Sequence, residues 1–300
     1  MLTEWNLILK RPIFMLFSFF CIVSILAITA IFINSSNNSK AQISALNFLQ
    51  KEISNASIEL SKINSLGNTL VNIAPSMPGT KSFFNFEREI IPFGDEHPAK
   101  MWFLSSLTSY PQITTLQIGY ENGTYYSATN LKTALPSMLE EQSDPNDSTF
   151  LIRRIAGNIM GRFDDWVFLD SNLNYLNGKR IPEPTFDFRD KWYTEKVDSQ
   201  ELVWNDIRIL NETGHAGLIL SIVTNESPIA VFGIKLSFIP FTNYLIRRSN
   251  ITDNGLVLAL IDKDGQIISS SLSGSLRPSR SGSLIKSNQL KNLVLNKIVN

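Results

Sequence analysis

Hydrophobic and polar positions change their spacing along the chain, and each change predicts a different element. The first segment is an apolar run, 13–33, that contains no charged residue. As a helix it would be about 30 Å long, which matches the hydrocarbon core of a bilayer. Lys10 and Arg11 precede the run, whereas 34–38 are polar and uncharged. The positive-inside rule therefore predicts a transmembrane helix at 13–33, with 1–12 in the cytoplasm.

A cleaved signal peptide is the alternative interpretation of this run. Ala27, Thr29 and Ala30 supply the small residues that a cleavage site needs. The apolar part of a signal peptide is usually only about 7–15 residues long, so a permanent anchor is favoured. The chain after the run is therefore expected to lie outside the cytoplasm.

A heptad pattern follows the apolar run. Apolar or small residues recur at alternating spacings of three and four, which predicts a long stalk helix within 34–78. The set is Leu46, Leu49, Ile53, Ala56, Leu60, Ile63, Gly67 and Leu70. This stripe either packs along its own globular domain or pairs with the same helix of a second subunit to form a homodimer. Both can hold for different parts of the helix.

Beyond about residue 83 the periodicity becomes that of mixed strands and helices. Leu116, Ile118 and Tyr120 alternate before a turn at 121–123, which predicts a hairpin. Further predicted strands are 166–169, 217–223, 230–238, 256–261 and 266–269, and 284–299 is predicted as an amphipathic helix. Antiparallel strands with a few helices indicate an α+β fold.

Composition narrows the function classes. The chain has 27 basic and 27 acidic residues and is 43% hydrophobic, which is typical of a folded domain and argues against a nucleic-acid partner. The single cysteine, Cys21, lies in the apolar run, so no disulfide is expected. His97 and His215 are the only histidines, and no zinc site is predicted from them. Phosphate-binding and nucleophile motifs are absent from the sequence, so we predict neither a cofactor nor an enzymatic activity.

Two charged clusters have several interpretations. Asp164, Asp165 and Asp170 are interpreted as a solvated turn beside a strand, in preference to a cation site. The neighbouring arginines either contact a partner or lie on a solvated sheet edge. They are Arg153, Arg154 and Arg162.

Five short stretches, in this order, together resemble the double Cache domains of bacterial transmembrane receptors. They are 110–113, 118–123, 166–170, 186–193 and 231–234. The resemblance covers about 40–270. Within that family, His97-Pro98 with the 110–112 stretch is most similar to the sensor portion that precedes class III adenylate or guanylate cyclases.

The resemblance implies a domain order. The family has a long N-terminal helix that carries two PAS-like lobes and sits in the bacterial inner membrane with its sensor outside. This places the membrane-distal, ligand-binding lobe at 79–254 and an incomplete membrane-proximal lobe at 255–300. A second membrane span and an output domain are expected of the family and do not occur within these 300 residues. A sensor fragment of a longer protein and a truncated product are both open interpretations.

The family's pattern for amino-acid ligands is only partly kept. Such domains carry an Arg two residues before a Trp-Tyr pair, and this chain keeps Trp192 and Tyr193 but has Asp190 at the Arg position. Arg189 and Lys191 flank that aspartate.

Two further positions of the pattern also differ. Arg208 follows Trp204 where the family has a Tyr, and Lys235 replaces the Asp that binds the ligand amine. A Lys in place of a carboxylate reverses the local charge. We therefore expect a small anion, such as a carboxylate, with Arg208 and Lys235 as its charge partners. The residues expected to line the site are Arg189, Lys191, Trp192, Tyr193, Trp204, Arg208 and Lys235.

The alternative is a membrane-anchored interaction protein that binds no ligand and has no output domain. A slip of one residue in the alignment would place Lys235 on the opposite face of its strand, and Arg208 would then be an ordinary surface charge. A pocket filled by side chains would favour this second hypothesis.

Overall fold

The computed structural model describes residues 39–73, 97–133, 147–158, 161–182, 188–189, 192–194, 203–205, 207–210, 213–224, 230–251, 257–272 and 284–287. The predicted transmembrane segment 13–33 lies outside these ranges. Within them, no helix combines the length and the apolar character that crossing a bilayer requires. By their contacts the residues divide into two compact units, 62–237 and a second unit made of 1–61 with 238–300.

The predicted stalk helix is present as α1, Ser39–Ile73. Its heptad stripe is not uniformly buried: Leu46 is 59% exposed and Ile53 is 40% exposed, whereas Ala56 and Leu70 are only 3% and 4% exposed. The C-terminal half of the stripe therefore packs within the protein, as one interpretation predicts. The N-terminal half leaves large apolar side chains at the surface.

A sheet of nine antiparallel strands dominates the 62–237 unit of the described chain. The strand order is β5-β4-β3-β2-β1-β9-β8-β6, and β7 also pairs with β8. The strands are β1 Ile113–Tyr120, β2 Tyr125–Asn130, β3 Phe150–Asn158, β4 Gly161–Leu169, β5 Tyr175–Pro182, β6 Val203–Trp204, β7 Arg208–Ile209, β8 Ala216–Thr224 and β9 Ala230–Ser237. The predicted hairpin around 121–123 is confirmed as the β1–β2 connection, and residues 170–174 connect β4 to β5.

The sheet has two faces, because successive side chains of a strand point to opposite sides. The back face, which includes Ile118 and its cross-strand partners Tyr126 and Phe232, packs against α2, Lys100–Ser109. Phe103 of α2 has its ring centroid 5.7 Å from that of Tyr126 and 6.0 Å from that of Phe232. The front face includes Gln117 and its partner Gly233, and it carries the site described below.

The second unit contains α3, Ile239–Ile251, and a three-stranded antiparallel sheet formed by β10 Ala259–Ile261, β11 Gln266–Ser270 and β12 Ile285–Lys286. The predicted return of β11 after the turn at 262–265 is confirmed. The predicted helix 284–299 is wrong at its start, because Ile285 pairs with Ile267 and packs against the apolar cluster of this small sheet. Residues 288–300 lie outside the described residues.

An ion pair joins two distant segments of this unit. Glu52 of α1 is 3% exposed, and Arg248 of α3 donates from Nε to its Oε2 at 2.7 Å and from Nη2 to its Oε1. Tyr244 and Leu245 of α3 lie beside Glu52 and Ala56 around one small cavity. A buried carboxylate is tolerated here because a bidentate guanidinium neutralises it.

Candidate functional site

The centre of the front face is polar although it is buried. Five side chains that register with one another across β1, β2 and β8 are at most 7% exposed. We call them the polar floor: Thr115, Gln117, Ser127, Thr129 and Ser221. Thr115 and Thr129 are β-branched residues of the kind that strands favour, whereas Gln117, Ser127 and Ser221 are polar residues that buried strand positions seldom carry.

Three aromatic rings cover this floor. Phe188, Trp192 and Tyr193 are 1%, 3% and 5% exposed. The rings of Phe188 and Tyr193 meet edge to face at 5.3 Å, and Trp192 meets Tyr193 edge to face at 6.0 Å. We call these three residues the aromatic cover. Burial raises the pKa of the Tyr193 hydroxyl, so this group remains a protonated donor at neutral pH.

Glycines in the sheet let the aromatic cover approach closely. A Cβ at Gly119 would lie 2.5 Å from Cε2 of Phe188, and a Cβ at Gly233 would lie 2.9 Å from Cε3 of Trp192. Gly119 and Gly233 are therefore positions where a ring rests directly on the backbone.

None of the floor residues was predicted from the sequence, and Gln117 is the one among them with an incompletely bonded side chain. Tyr125 donates its hydroxyl to Oε1 of Gln117 at 3.0 Å, while Nε2 is buried and has no hydrogen-bond partner within the part of the chain that the structure describes. A Cβ at Gly233 would lie 2.9 Å from this Nε2, so the amide nitrogen points at Gly233. In the sequence, the only sign that Gln117 is unusual is its position between the apolar residues Leu116 and Ile118.

Lys235 lies on the same face as the floor. It pairs with Thr115 and Ile219 and is two residues from Gly233, which puts its Cα roughly 7 Å from that of Gly233. The side chain is half-buried. The strand register thus gives the orientation that an anion-binding role requires.

Arg208 lies further away on the same face. It pairs with Gly217 of β8. Strand spacing places its Cα roughly 12 Å from Lys235 and roughly 16 Å from Gly233. Because each long side chain reaches about 6–7 Å, the side chains of Arg208 and Lys235 can approach one anion above β8.

The remaining predicted residues are dispersed. Arg189 is exposed and donates from Nη2 to the carbonyl oxygen of Glu121 at 3.3 Å, at the β1–β2 turn. Trp204 is in β6 and pairs with Leu220 through its backbone. Lys191 lies outside the described residues.

The acidic cluster is not a solvated turn, contrary to prediction. Asp164 and Asp165 are 2% and 4% exposed, on opposite faces of β4. Asp164 pairs with Arg153 of the neighbouring strand β3. Asp165 pairs with Arg154 of β3 and with Arg180 of β5. The interpretation failed because cross-strand partners neutralise these carboxylates. Only Asp170 is in an exposed turn, where it accepts from the backbone N–H groups of Asn172 and Asn174.

Comparisons with known proteins give a partial likeness. No family model and no curated protein matches the chain. The ligand-binding domain of the Campylobacter jejuni chemoreceptor Tlp3, in complex with 4-methylisoleucine, is 9% identical, with a TM-score of 0.46 over 79% of this chain and 73% of that one. The amino-acid chemoreceptor PctC of Pseudomonas aeruginosa, in complex with GABA, is 12% identical, with a TM-score of 0.42 over 81% and 80%. CtaA of Pseudomonas fluorescens, in complex with L-isoleucine, is 14% identical, with a TM-score of 0.42 over 84% and 76%.

The front face combines polar and aromatic side chains. Among the described residues, no group of three or more His, Cys, Asp or Glu side chains could hold a metal ion. The front face offers instead a neutral amide donor, a half-buried ammonium and aromatic walls. Such groups suit a small molecule with an acceptor oxygen and an apolar part.

His97 lies on the back face in a buried polar contact. Its ring stacks on Tyr126 with centroids 4.1 Å apart, and Nδ1 accepts from the backbone N–H of Ala99 at 3.0 Å. The neutral ring therefore carries its proton on Nε2, which donates to Oη of Tyr120 at 3.0 Å. Burial, and then the nearby Arg154, lowers the pKa of His97 from 6.5 to about 3.

We expect the chain to lose stability on acidification before its carboxylates titrate. Between pH 6.5 and 3 the unfolded chain binds a proton at His97 that the folded chain excludes. The free energy of unfolding then falls by up to about 1.4 kcal/mol per pH unit. Thermal unfolding of the full chain from pH 7 to pH 4.5 measures this slope. His97→Phe keeps the ring stacking and should reduce the pH dependence of the unfolding free energy more than the control His215→Asn does. Equal pH slopes in the unmodified chain and in both variants would contradict the assignment of this slope to His97.

Proposed function

We propose that the chain is the extracytoplasmic sensing part of a single-pass bacterial membrane receptor of the double Cache type, and that its ligand is a small anion. The observation that carries the proposal is the polar floor beneath the aromatic cover, with Lys235 on the same face. Within that floor the amide nitrogen of Gln117 is buried without a hydrogen-bond partner among the described residues, which is costly unless a polar group binds to it. The ammonium of Lys235 favours a negatively charged group over an amine.

The remaining parts of the proposal follow from the sequence. The segment Ile13–Ile33 anchors the chain in the inner membrane, with the N-terminus in the cytoplasm and the sensing unit in the periplasm. The resemblance of the 97–112 region assigns the sensor to a receptor whose output is a class III nucleotide cyclase. Occupancy would act by favouring one of two states with different ligand affinity.

Homodimerisation through α1 belongs to the same proposal. The exposed stripe residues Leu46 and Ile53 are seven residues apart, one heptad, whereas Ala56 and Leu60 are buried within the protein. The N-terminal half of α1 is therefore the part that we expect to pair with a second copy.

The main experiment is a thermal-unfolding screen of the full chain in detergent micelles, with carboxylates, amino acids and amines as ligands. A ligand at 100 times its dissociation constant should stabilise the fold by about 2.7 kcal/mol. Lys235→Met should weaken carboxylate binding by roughly tenfold to a hundredfold, since charged hydrogen bonds contribute about 1.5–3 kcal/mol. Lys235→Glu should abolish it, and Arg208→Ala should have the smaller effect.

Lys132→Glu is the matched control, because this lysine is exposed at the end of the short helix Leu131–Thr133. Its binding should equal that of the unmodified chain. Carboxylate binding that survives Lys235→Glu would overturn the anion assignment.

A specific observation also favours the ligand-free alternative. Phe188 and Trp192 rest directly on Gly119 and Gly233, so side chains already occupy part of the front face. A folded protein that responds to no ligand class would support a membrane-anchored interaction protein without a ligand.

A further inference from the structure

A single charged side chain interrupts the buried face of α1. Among the α1 residues whose burial the structure describes, six are buried: Glu52, Ala56, Leu60, Ile63, Gly67 and Leu70. Five of these are apolar or small, and Glu52 carries the one charge. Glu52 is four residues before Ala56, so the two lie on the same face, about one turn apart. Burying a carboxylate costs free energy, so its place on this face requires an explanation.

The partner of this carboxylate comes from α3. Arg248 donates from Nε to Oε2 of Glu52 at 2.7 Å and from Nη2 to Oε1, so the guanidinium meets both carboxylate oxygens. The side chain of Glu52 is 3% exposed and that of Arg248 is 29% exposed. Both residues belong to the second unit. Because the planar guanidinium fork must align with the carboxylate, this bidentate contact is satisfied at one relative position of the two helices.

Apolar packing beside the pair leaves the height of α1 open. A cavity of about 10 Å³ lies next to Glu52 and Ala56, and its other walls are Phe241, Tyr244, Leu245, Leu258, Ala259 and Leu260. The side chains around Ala56 are therefore not fully interlocked. A shift of α1 by one turn would bring Leu60 to the place of Ala56 and would keep the apolar stripe on the same side. The stripe thus specifies which side of α1 is buried, but it does not specify the height at which the helix is held.

The energetics of the pair indicate a role other than stabilisation. The dehydration of two charges offsets most of the attraction between them, so apolar residues of similar size often give equal or greater stability. A single polar group in an apolar seam is known to specify register at some cost in stability. In the sequence α1 follows the apolar run 13–33, so the register of α1 sets the length of helix between that run and the second unit.

We propose that the Glu52–Arg248 pair is a register lock, which holds α1 at one height against α3 where apolar packing alone would also admit a height one turn away. Glu52 and Arg248 are then positioning residues. The lock also determines which side of α1 stays outside, because Ile53 follows Glu52 and is turned about 100° from it. The proposal requires no ligand and is therefore independent of the proposed sensing function.

The test measures the distance between two spin labels on the full chain in detergent micelles. The labels are attached through Lys51→Cys in α1 and Asp264→Cys in the β10–β11 turn, which are exposed positions, and Cys21→Ser removes the native cysteine. An excess of unlabelled chain suppresses distances between copies. The labelled chain should give one narrow distance. Adding Glu52→Leu together with Arg248→Met should give a second distance that differs by up to about 5 Å, one helical turn.

Two further variants separate the lost pair from the lost side chain. Arg248→Lys keeps the counter-charge and should keep the single distance. Arg247→Met is the matched control, because Arg247 is the exposed neighbour of Arg248 on α3, and it should leave the distance unchanged. A second distance in the Arg247→Met chain would attribute the shift to a general loosening of α3 and would overturn the proposal.

Thermal unfolding of the same variants is the second measurement. Arg248→Met alone leaves the buried carboxylate without its partner and should lower the unfolding midpoint. The double variant with Glu52→Leu should have a midpoint equal to or above that of the unmodified chain. A double variant as unstable as Arg248→Met would show that the pair is a stabilising contact and would overturn the proposal. One unchanged narrow distance in the double variant would also overturn it.

Discussion

Asp165→Asn is expected to lower the free energy of unfolding by about 3–5 kcal/mol. Arg154 Nη2 donates to Oδ2 of Asp165 at 2.8 Å, and Arg180 donates to both carboxylate oxygens at 2.6 and 2.7 Å. The side chain of Arg154 is only 6% exposed. An amide would leave this buried guanidinium without a counter-charge, which costs far more than the pair itself contributes.

Denaturant unfolding of the full chain measures this loss. Asp164→Asn is the neighbouring control, and its effect should be smaller because Arg153 is 17% exposed and also contacts the face of Trp166. Replacing Arg154 and Asp165 together by Met and Leu should recover much of the stability, since it removes the orphaned charge. A double variant as unstable as Asp165→Asn would contradict this account.

The pH dependence of this pair differs from that of His97. Burial raises the pKa of the Asp165 carboxyl, but the hydrogen bonds from Arg180 and Arg154 outweigh burial and lower it below 3.8. Its contribution to stability is therefore present above pH 3.8 and is lost as the pH falls below that value. A loss of stability that begins near pH 6 thus reports on His97 and His215, whose pKa values burial lowers, and a further loss below pH 3.8 reports on Asp165.

Gly217→Ala is expected to destabilise the fold by about 3 kcal/mol, at the upper end of the usual cost of overpacking. The added Cβ would lie 2.5 Å from the carbonyl oxygen of Leu236 and 2.4 Å from Cδ1 of Leu210. Leu236 belongs to β9, which pairs with β8 along its whole length. The strand cannot move away without breaking that ladder, so the clash persists.

Gly119→Ala is the matched comparison, because there the nearest atoms belong to the side chain of Phe188. Adding Phe188→Leu to Gly119→Ala replaces that ring by a smaller side chain and should restore the stability of the fold. Trimming Leu210 to Ala should not restore Gly217→Ala, since the carbonyl oxygen of Leu236 remains. Thermal midpoints of the four variants decide this, and rescue at both sites would contradict the backbone explanation.

Elements that depend on nearby residues could be predicted from the sequence. The β1–β2 hairpin follows from alternating apolar residues on either side of a turn that contains Gly123, which has a φ of 89°. The heptad pattern predicts the helix α1 and the apolar stripe along it, and the structure buries the stripe at Ala56, Leu60, Ile63 and Leu70. The exposure of Leu46 and Ile53 was not predictable, because it depends on whether another surface reaches that part of the helix.

Features that depend on distant pairing could not be predicted. Gln112 accepts from the backbone N–H of Ser237 at 2.8 Å, and this β1–β9 neighbourhood brings together segments that are more than a hundred residues apart. Asp164 and Asp165 looked solvated because their arginine partners are on other strands. The predicted start of the C-terminal helix is wrong for a similar reason, because the amphipathic pattern at 284–287 fits a short edge strand equally well.

The residues of the candidate site also fall into those that the sequence could predict and those that it could not. Substitution of Lys for an expected Asp at 235 could be recognised from the local motif, and the strand register puts that lysine on the front face. The surroundings of Gln117 could not be predicted, because they include a hydroxyl from β2 and a glycine from β9. The separation of Arg208 from Lys235 also depends on register, which sequence spacing does not specify.

The Glu52–Arg248 ion pair sets an order of events during synthesis. Its two residues are 196 positions apart, so α1 emerges from the ribosome long before its counter-charge exists. At typical elongation rates of about 5–20 residues per second, the delay is roughly 10–40 s. The intervening unit, 62–237, can complete its sheet in that interval. Until α3 is synthesised, Glu52 lacks this guanidinium partner, so its burial has to follow the synthesis of α3.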